Sequence, residues 1–94
     1  MSSKNTRRIV IAVLIRGWVL VGDVEDEHED GTLVLHRALV IRKWGTEGKG
    51  LGALVDGPTA ATVLDPIPGK TTIRPPNQLY VVECRAEAWA GVFA

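Results

Sequence analysis

The feature that most constrains this chain is the run Ile9-Val10-Ile11-Ala12-Val13-Leu14-Ile15. β-branched residues dominate it, and their two Cβ substituents favour the extended backbone of a pleated strand. Every position is apolar, so neither face of such a strand can meet water. It is expected in the middle of a sheet, covered on both sides. The run is too short for a typical helix and far below the roughly 20 residues of a membrane span. Arg16 follows it, and no small-residue cleavage pattern does, so it makes a poor secretory signal. A cytoplasmic protein without a membrane segment is the expectation.

Length is the second constraint. Ninety-four residues make one domain, and so short a chain buries only about 60–70% of its unfolded surface. Little scaffold is left for a deep enzymatic cleft. Self-association adds buried area, and the edge strands of a small β domain invite it. A homo-oligomer is therefore expected, with Trp18, Trp89 or Phe93 in the contact.

The polar, basic residues 1–8 predict a flexible tail, and 9–94 a single small β domain. Gly17 predicts a bend, after which Trp18-Val19-Leu20-Val21 continues as strand. Asp23 to Asp30 is almost wholly charged and reads as an acidic loop, closed by the turn signal Asp30-Gly31 before a strand over Thr32 to Leu35. Leu33 and Leu35 share one parity, as do Leu39 and Ile41, and the polar pair His36-Arg37 between them predicts a bulge or sharp bend before a further strand from Ala38 to Trp44. The spacing of Leu51, Leu54 and Val55 predicts one helical turn. Strand is expected over Thr59 to Leu64, a rigid loop over Asp65 to Gly69, an extended piece over Thr71 to Arg74, and a last strand over Leu79 to Cys84. Trp89 and Phe93 anchor the end. Short strands with turns every 8–12 residues predict a mainly β fold: a small antiparallel barrel or curled sheet with at most one or two short helical turns.

Net charge is zero, but six of the eleven acids lie between Asp23 and Asp30, leaving eleven Lys/Arg against five Asp/Glu elsewhere. That permits a locally basic surface facing away from the acidic loop. The loop lacks the alternating carboxylates, mid-loop glycine and terminal glutamate of a calcium site, so no metal or other cofactor is expected. Cys84 is the only cysteine, which excludes an internal disulfide. No family-type Cys/His pattern surrounds it, and no catalytic site is expected.

The segment Arg42 to Gly52 carries the most chemistry. Trp44 offers a stacking surface, Arg42, Lys43 and Lys49 offer charge, Thr46 offers a hydroxyl, and the glycines let backbone N–H groups approach a ligand. Such groups hold a phosphorylated nucleotide. The P-loop spacing is absent. The plainer reading is a glycine-rich turn with Trp44 in the core. Arg74-Pro75-Pro76-Asn77-Gln78 is the second candidate: two prolines stiffen the backbone and pre-order Arg74 and Asn77 as a hydrogen-bonding wall, while the plainer reading is a proline pair that protects an edge strand.

The chain also resembles the phage Thoeris anti-defence sponge family, small β-rich proteins that sequester cyclic-ADP-ribose-type immune signals. The residues that carry this are Val19-Leu20-Val21-Gly22, Gly31-Thr32-Leu33-Val34-Leu35, Ala38-Leu39-Val40-Ile41-Arg42-Lys43-Trp44, the Gly/Leu-rich segment to Leu54, and a later Ile/Val-rich strand. The resemblance spans Trp18 to Val82 and implies a phage origin and a non-catalytic sequestering role. The expected ligand is then a small phosphorylated nucleotide, held by Arg42, Lys43, Trp44, Thr46, Lys49, Arg74 and Asn77. Two alternatives stand beside it. One is a structural or protein-interaction module that uses its sheet edge and exposed aromatics. The other is a single-stranded nucleic-acid barrel, ranked lower because only Trp18 and Trp44 adjoin basic residues and the domain is not strongly basic.

Overall fold

The computed structural model describes residues 8–46 and 50–93. Strands β1 (Ile9–Leu14), β2 (Val19–Glu27), β3 (Leu33–Lys43), β4 (Val63–Pro66), β5 (Lys70–Ile73) and β6 (Gln78–Glu83) form one sheet. Their order is β4-β3-β2-β1-β6, with β5 also paired to β3. Every pairing is antiparallel. The expected mainly β class is the fold observed, as a curled sheet rather than a closed barrel. There are more helical turns than expected: 3-10 turns occupy Leu51–Asp56, Pro75–Asn77 and Ala86–Trp89, and a tight turn with left-handed backbone occupies Ile15–Gly17. At Pro75-Pro76 the cause is local, since two prolines fix φ near the helical value.

β1 lies between β2 and β6, and Ile9 to Ala12 are wholly buried. Its two faces enter two cores. Ile9 and Ile11 join Val19, Val21 and Ile41 under a cover of Leu54, Trp89 and Phe93. Val10 and Ala12 join Leu20, Leu33, Leu35, Ala38 and Ile73 on the opposite face. The buried Trp89 donates its Nε1–H to the Leu54 carbonyl at 2.8 Å, so its one polar atom is satisfied. Trp89 and Phe93 are therefore cores of the protomer and are not available for the oligomer contact expected of them.

The curl comes from β3, which runs unbroken where the sequence predicted two strands. Between the pairs Val21↔Leu39 and Asp23↔His36 it holds one extra residue. Arg37 sits there with a left-handed φ of 56°. That bulge exchanges the faces: Leu33 and Leu35 lie in one core, Leu39 and Ile41 against the other. Gly22 lets the bent strands approach, for a Cβ there would lie 2.9 Å from Leu35 Cβ. β5 pairs with the first half of β3 and β4 with the second, and Ile67 N–H donates to the Ala38 carbonyl between them. Gln78 Nε2 then donates to the carbonyls of Gly31 and Ile73, both at 3.0 Å, drawing the start of β6 towards the end of β5. The curl stops short of closure.

Several boundaries differ from expectation. Asp23 to Glu27 belong to β2, so the acidic segment is mostly strand and the reversal is confined to His28 to Thr32. Asp30 Oδ1 accepts the Thr32 N–H at 2.9 Å, a bond that also lowers the Asp30 pKa. Gly17 is part of a hairpin reversal rather than a bend in a continuing strand; Arg16 and Gly17 both have positive φ, as a type I′ turn requires. Thr59 to Thr62 form a turn, because the Thr59 and Thr62 hydroxyls donate to the carbonyls of Gly45 and Trp44. β4 instead takes in Asp65 and Pro66, which an edge strand tolerates. β5 and β6 each begin one residue earlier than predicted, and β6 ends before Cys84. Arg8 is not tail: its guanidinium pairs with Glu27 and Glu83. The rest of the predicted tail lies outside the described residues.

Candidate functional site

The residues expected to hold a nucleotide are divided between the two ends of β3. Trp44 follows the end of β3, whereas Arg74 follows β5, whose Ile73 pairs with Leu33 at the beginning of β3. The intervening strand spans roughly 33 Å if extended.

At the Trp44 end most of the polar groups are already committed. Arg42 meets Asp65 through Nε at 2.8 Å and Nη2 at 3.1 Å, a two-pronged pair that neutralises its charge. Thr46 is buried, and its hydroxyl donates to the Gly50 carbonyl at 3.0 Å. Gly45 does not cradle a ligand: a Cβ there would lie 2.4 Å from the Ala61 carbonyl carbon, so the glycine serves close packing against the 59–62 turn. Lys43 is exposed. Trp44 is 42% exposed, which corrects the reading that put it in the core. Lys49 lies outside the described residues.

At the other end the sheet's curl leaves an open cleft of about 250 Å³. Leu14, Leu20 and Ile73 make its apolar floor, continuous with the second core. Trp18, Arg16, Thr71 and Asn77 stand around it. The β1–β2 turn positions Trp18: the Leu14 N–H donates to the Trp18 carbonyl at 2.7 Å, and the indole beyond is 57% exposed. Arg16 is held beside it at a φ of 66°, a conformation that L-residues other than Asn and Asp rarely adopt. The Asn77 N–H bonds the Arg74 carbonyl at 3.0 Å, closing the proline turn and fixing Asn77 at the rim. Among the described residues the side chains of Arg16, Trp18 and Asn77 make no hydrogen bond. Thr71 is the most informative. Its Oγ1 is buried and has no partner among the described residues.

Of the predicted set only Asn77 lines this cleft, with Arg74 beside the same turn but exposed. Sequence reasoning offered Trp18 for an oligomer contact and left it out of the ligand-binding set. The missed signal was its parity: Trp18 precedes inward-facing Leu20 by two residues, just after a hairpin turn, where a strand's end has no cover.

Elsewhere the titratable groups pair with each other. Glu25 meets Lys70 Nζ at 2.7 Å and His36 Nδ1 at 3.5 Å across β2, β3 and β5. Lys70, chiefly, holds the Glu25 carboxyl below its usual range, and Lys70 is raised in turn. Burial, and then Glu83, push the Cys84 thiol up to about 11, so it is protonated at neutral pH. Among the described residues no three His, Cys, Asp or Glu side chains converge to hold a metal ion. None of the described helices is long and apolar enough to cross a membrane. Compared with known proteins, the chain matches no family model, no curated sequence and no solved structure.

Proposed function

We propose that the protein is a non-catalytic recognition module that captures an apolar side chain of an extended partner polypeptide under Trp18. The observation that carries this reading is the exposed Trp18 indole over an apolar cleft whose lining residue Thr71 has a buried hydroxyl with no partner among the described residues. An unpaired buried hydroxyl costs about 1–3 kcal/mol. A ligand that fills the cleft with an apolar group and bonds the Thr71 hydroxyl, once a turn about χ1 brings it to the cleft, removes that cost. A peptide supplies both, its side chain on the Leu14–Leu20–Ile73 floor and a backbone amide at Thr71. Arg16 and Asn77 remain to bond its neighbouring carbonyls. Size supports the same reading. Clefts that bury drug-sized molecules run from about 300 to 1,000 Å³, and at about 250 Å³ this one suits a single side chain. The exposed indole fits as well, since tryptophan is over-represented among residues that dominate binding energy.

A second reading, capture of a small phosphorylated nucleotide, is favoured by Arg16 and Asn77 standing free beside Trp18. Stacking, charge and an amide edge would then meet at one base. Its phosphates would need further cations, and Arg42 is already held by Asp65.

One experiment separates the two. Peptides are selected from a random library on the immobilised protein, and the dissociation constant is measured on the wild type and on Trp18→Ala. A loss of about thirty-fold or more in the variant, the size of a binding hot spot of about 2 kcal/mol, is expected. A thermal-shift series with mono- and cyclic nucleotides is expected to leave the melting temperature unchanged. Nucleotide stabilisation that Trp18→Ala abolishes would replace the peptide reading with the second. Binding of either kind that Trp18→Ala leaves intact would overturn both.

A further inference from the structure

The sheet has two lateral edges, and they are built differently. One is made of β4 and β5, four residues each, interrupted by Ile67-Pro68-Gly69 and carrying Pro66 and Lys70. Short strands, prolines and lysines are the devices by which sheets resist edge-to-edge pairing. The other edge is β6, Gln78-Leu79-Tyr80-Val81-Val82-Glu83, which among the described residues pairs on one side only, to β1. It holds no proline and no lysine, its one charge is at its end, and Leu79 and Tyr80 are 61% and 52% exposed.

The ladder on the inner side says which backbone groups of β6 face outward. Cys84 N–H donates to the Ile9 carbonyl, and the register runs on through Val82↔Ile11 and Tyr80↔Val13. Alternation along an antiparallel ladder turns these even positions inward. The N–H and C=O groups of Val81 and Glu83 therefore point away from the sheet, whereas Leu79 is an extra residue at the register shift between Val13 and Leu14.

We infer that β6 pairs antiparallel with β6 of a second copy, about a two-fold axis through Val81. A two-fold axis perpendicular to the sheet keeps each face continuous, so only residues of like parity can stand opposite one another. The register centred on Val81 sets Val81 against Val81 of the two copies, with Glu83 beside the bulged Leu79. Tyr80 then stands beside Val82 of the other copy in the close, non-hydrogen-bonded pairs, an aromatic against a β-branched residue, which is a favourable cross-strand pair. The two Glu83 carboxylates fall at opposite ends, so no like charges oppose. The edge is complementary to itself.

Sedimentation of the full chain over a concentration series is expected to give a dimer at tens of micromolar. Val81→Pro removes an outward N–H without removing a bond to β1, and is expected to give a monomer with an unchanged far-UV spectrum. The register is read by Tyr80→Cys/Val82→Cys in a Cys84→Ser background: mild oxidation is expected to yield a covalent dimer, because non-hydrogen-bonded partners lie about 4.5 Å apart at Cα. A wild-type monomer throughout, or a dimer that survives in Val81→Pro, would overturn the pairing. If Val81→Pro does not fold, the double-cysteine protein decides: failure to cross-link under oxidation refutes the register.

Discussion

The two faces of the sheet end differently. On the first, the Leu51–Asp56 and Ala86–Trp89 turns lie over Ile9, Ile11 and Val21, and Trp89 is fully buried with its N–H bonded to a carbonyl. On the second, the cover is the sheet's own curl, which runs out at the β1–β2 turn and leaves Trp18 in solvent above Leu14, Leu20 and Ile73. The same residue type thus seals one core and stands open over the other. An indole with every polar atom satisfied contributes to stability. One with free surface beside an unpaired hydroxyl is available to a ligand.

The comparison breaks most readily at the tryptophans. Trp89→Ala is expected to cost about 3–5 kcal/mol of folding stability, since it empties the first core and leaves the Leu54 carbonyl without its partner. Trp18→Ala is expected to stay within about 1 kcal/mol. Urea titration of both variants checks this, and equal losses would mean that the second face is also a sealed core. Glycines give the next largest contrast. Gly57 lies under the Ala86–Trp89 turn at φ 106° and ψ 165°, where a Cβ would approach the Ala88 carbonyl oxygen to 2.8 Å. Backbone in that region is tolerated almost only by glycine, so Gly57→Ala should cost about 1–3 kcal/mol for strain and more for the clash. Gly17, at φ 84° on the open side, has nothing within 4 Å. Its alanine variant should lose only the strain, about 1–2 kcal/mol, in the same titration.

Thr71→Val sharpens the open side. The change removes an unsatisfied hydroxyl while nearly keeping the shape, so the melting temperature should stay level or rise by a few degrees, the effect of about 1 kcal/mol, while affinity for a selected peptide falls. A drop in both would make Thr71 a structural residue. The smallest effect belongs to Cys84. Its pKa is raised in the folded state, to about 11, so above the unfolded thiol's pKa the unfolded chain releases its proton first. Stability is untouched below that point and falls as pH rises towards 11. Cys84→Ala should flatten that slope, measured by urea midpoints from pH 8 to 11.

Much of the fold was legible because its residues state their own surroundings. The all-apolar β1 needed cover on two sides, and the polar pair His36-Arg37 marked the place of the bulge, although the odd-numbered Leu35 and Leu39 gave no change of parity to show that they face different cores. The Asp23–Asp30 segment misled because charge was read as loop. Strand residues on an exposed face can be acidic, and Asp23 to Glu27 simply continue β2. The Thr59 to Thr62 turn was hidden because its cause is tertiary: hydroxyls reaching carbonyls of the 44–45 segment. The site was less legible still. Arg42 looked free in sequence, but its partner Asp65 is brought to it only by the β3–β4 register. The cleft joins Leu14, Trp18, Thr71 and Asn77 from separate stretches of chain, and only the curl brings them together.

The central claim, that Trp18 is the recognition surface, is tested most directly by the indole N–H resonances of the three tryptophans during titration with a selected peptide. Trp18 is expected to shift progressively to saturation, while Trp89, bonded to Leu54, and Trp44, at the far end of β3, hold still. A shift at Trp44 with Trp18 unmoved would contradict the account and return the site to the segment that follows β3.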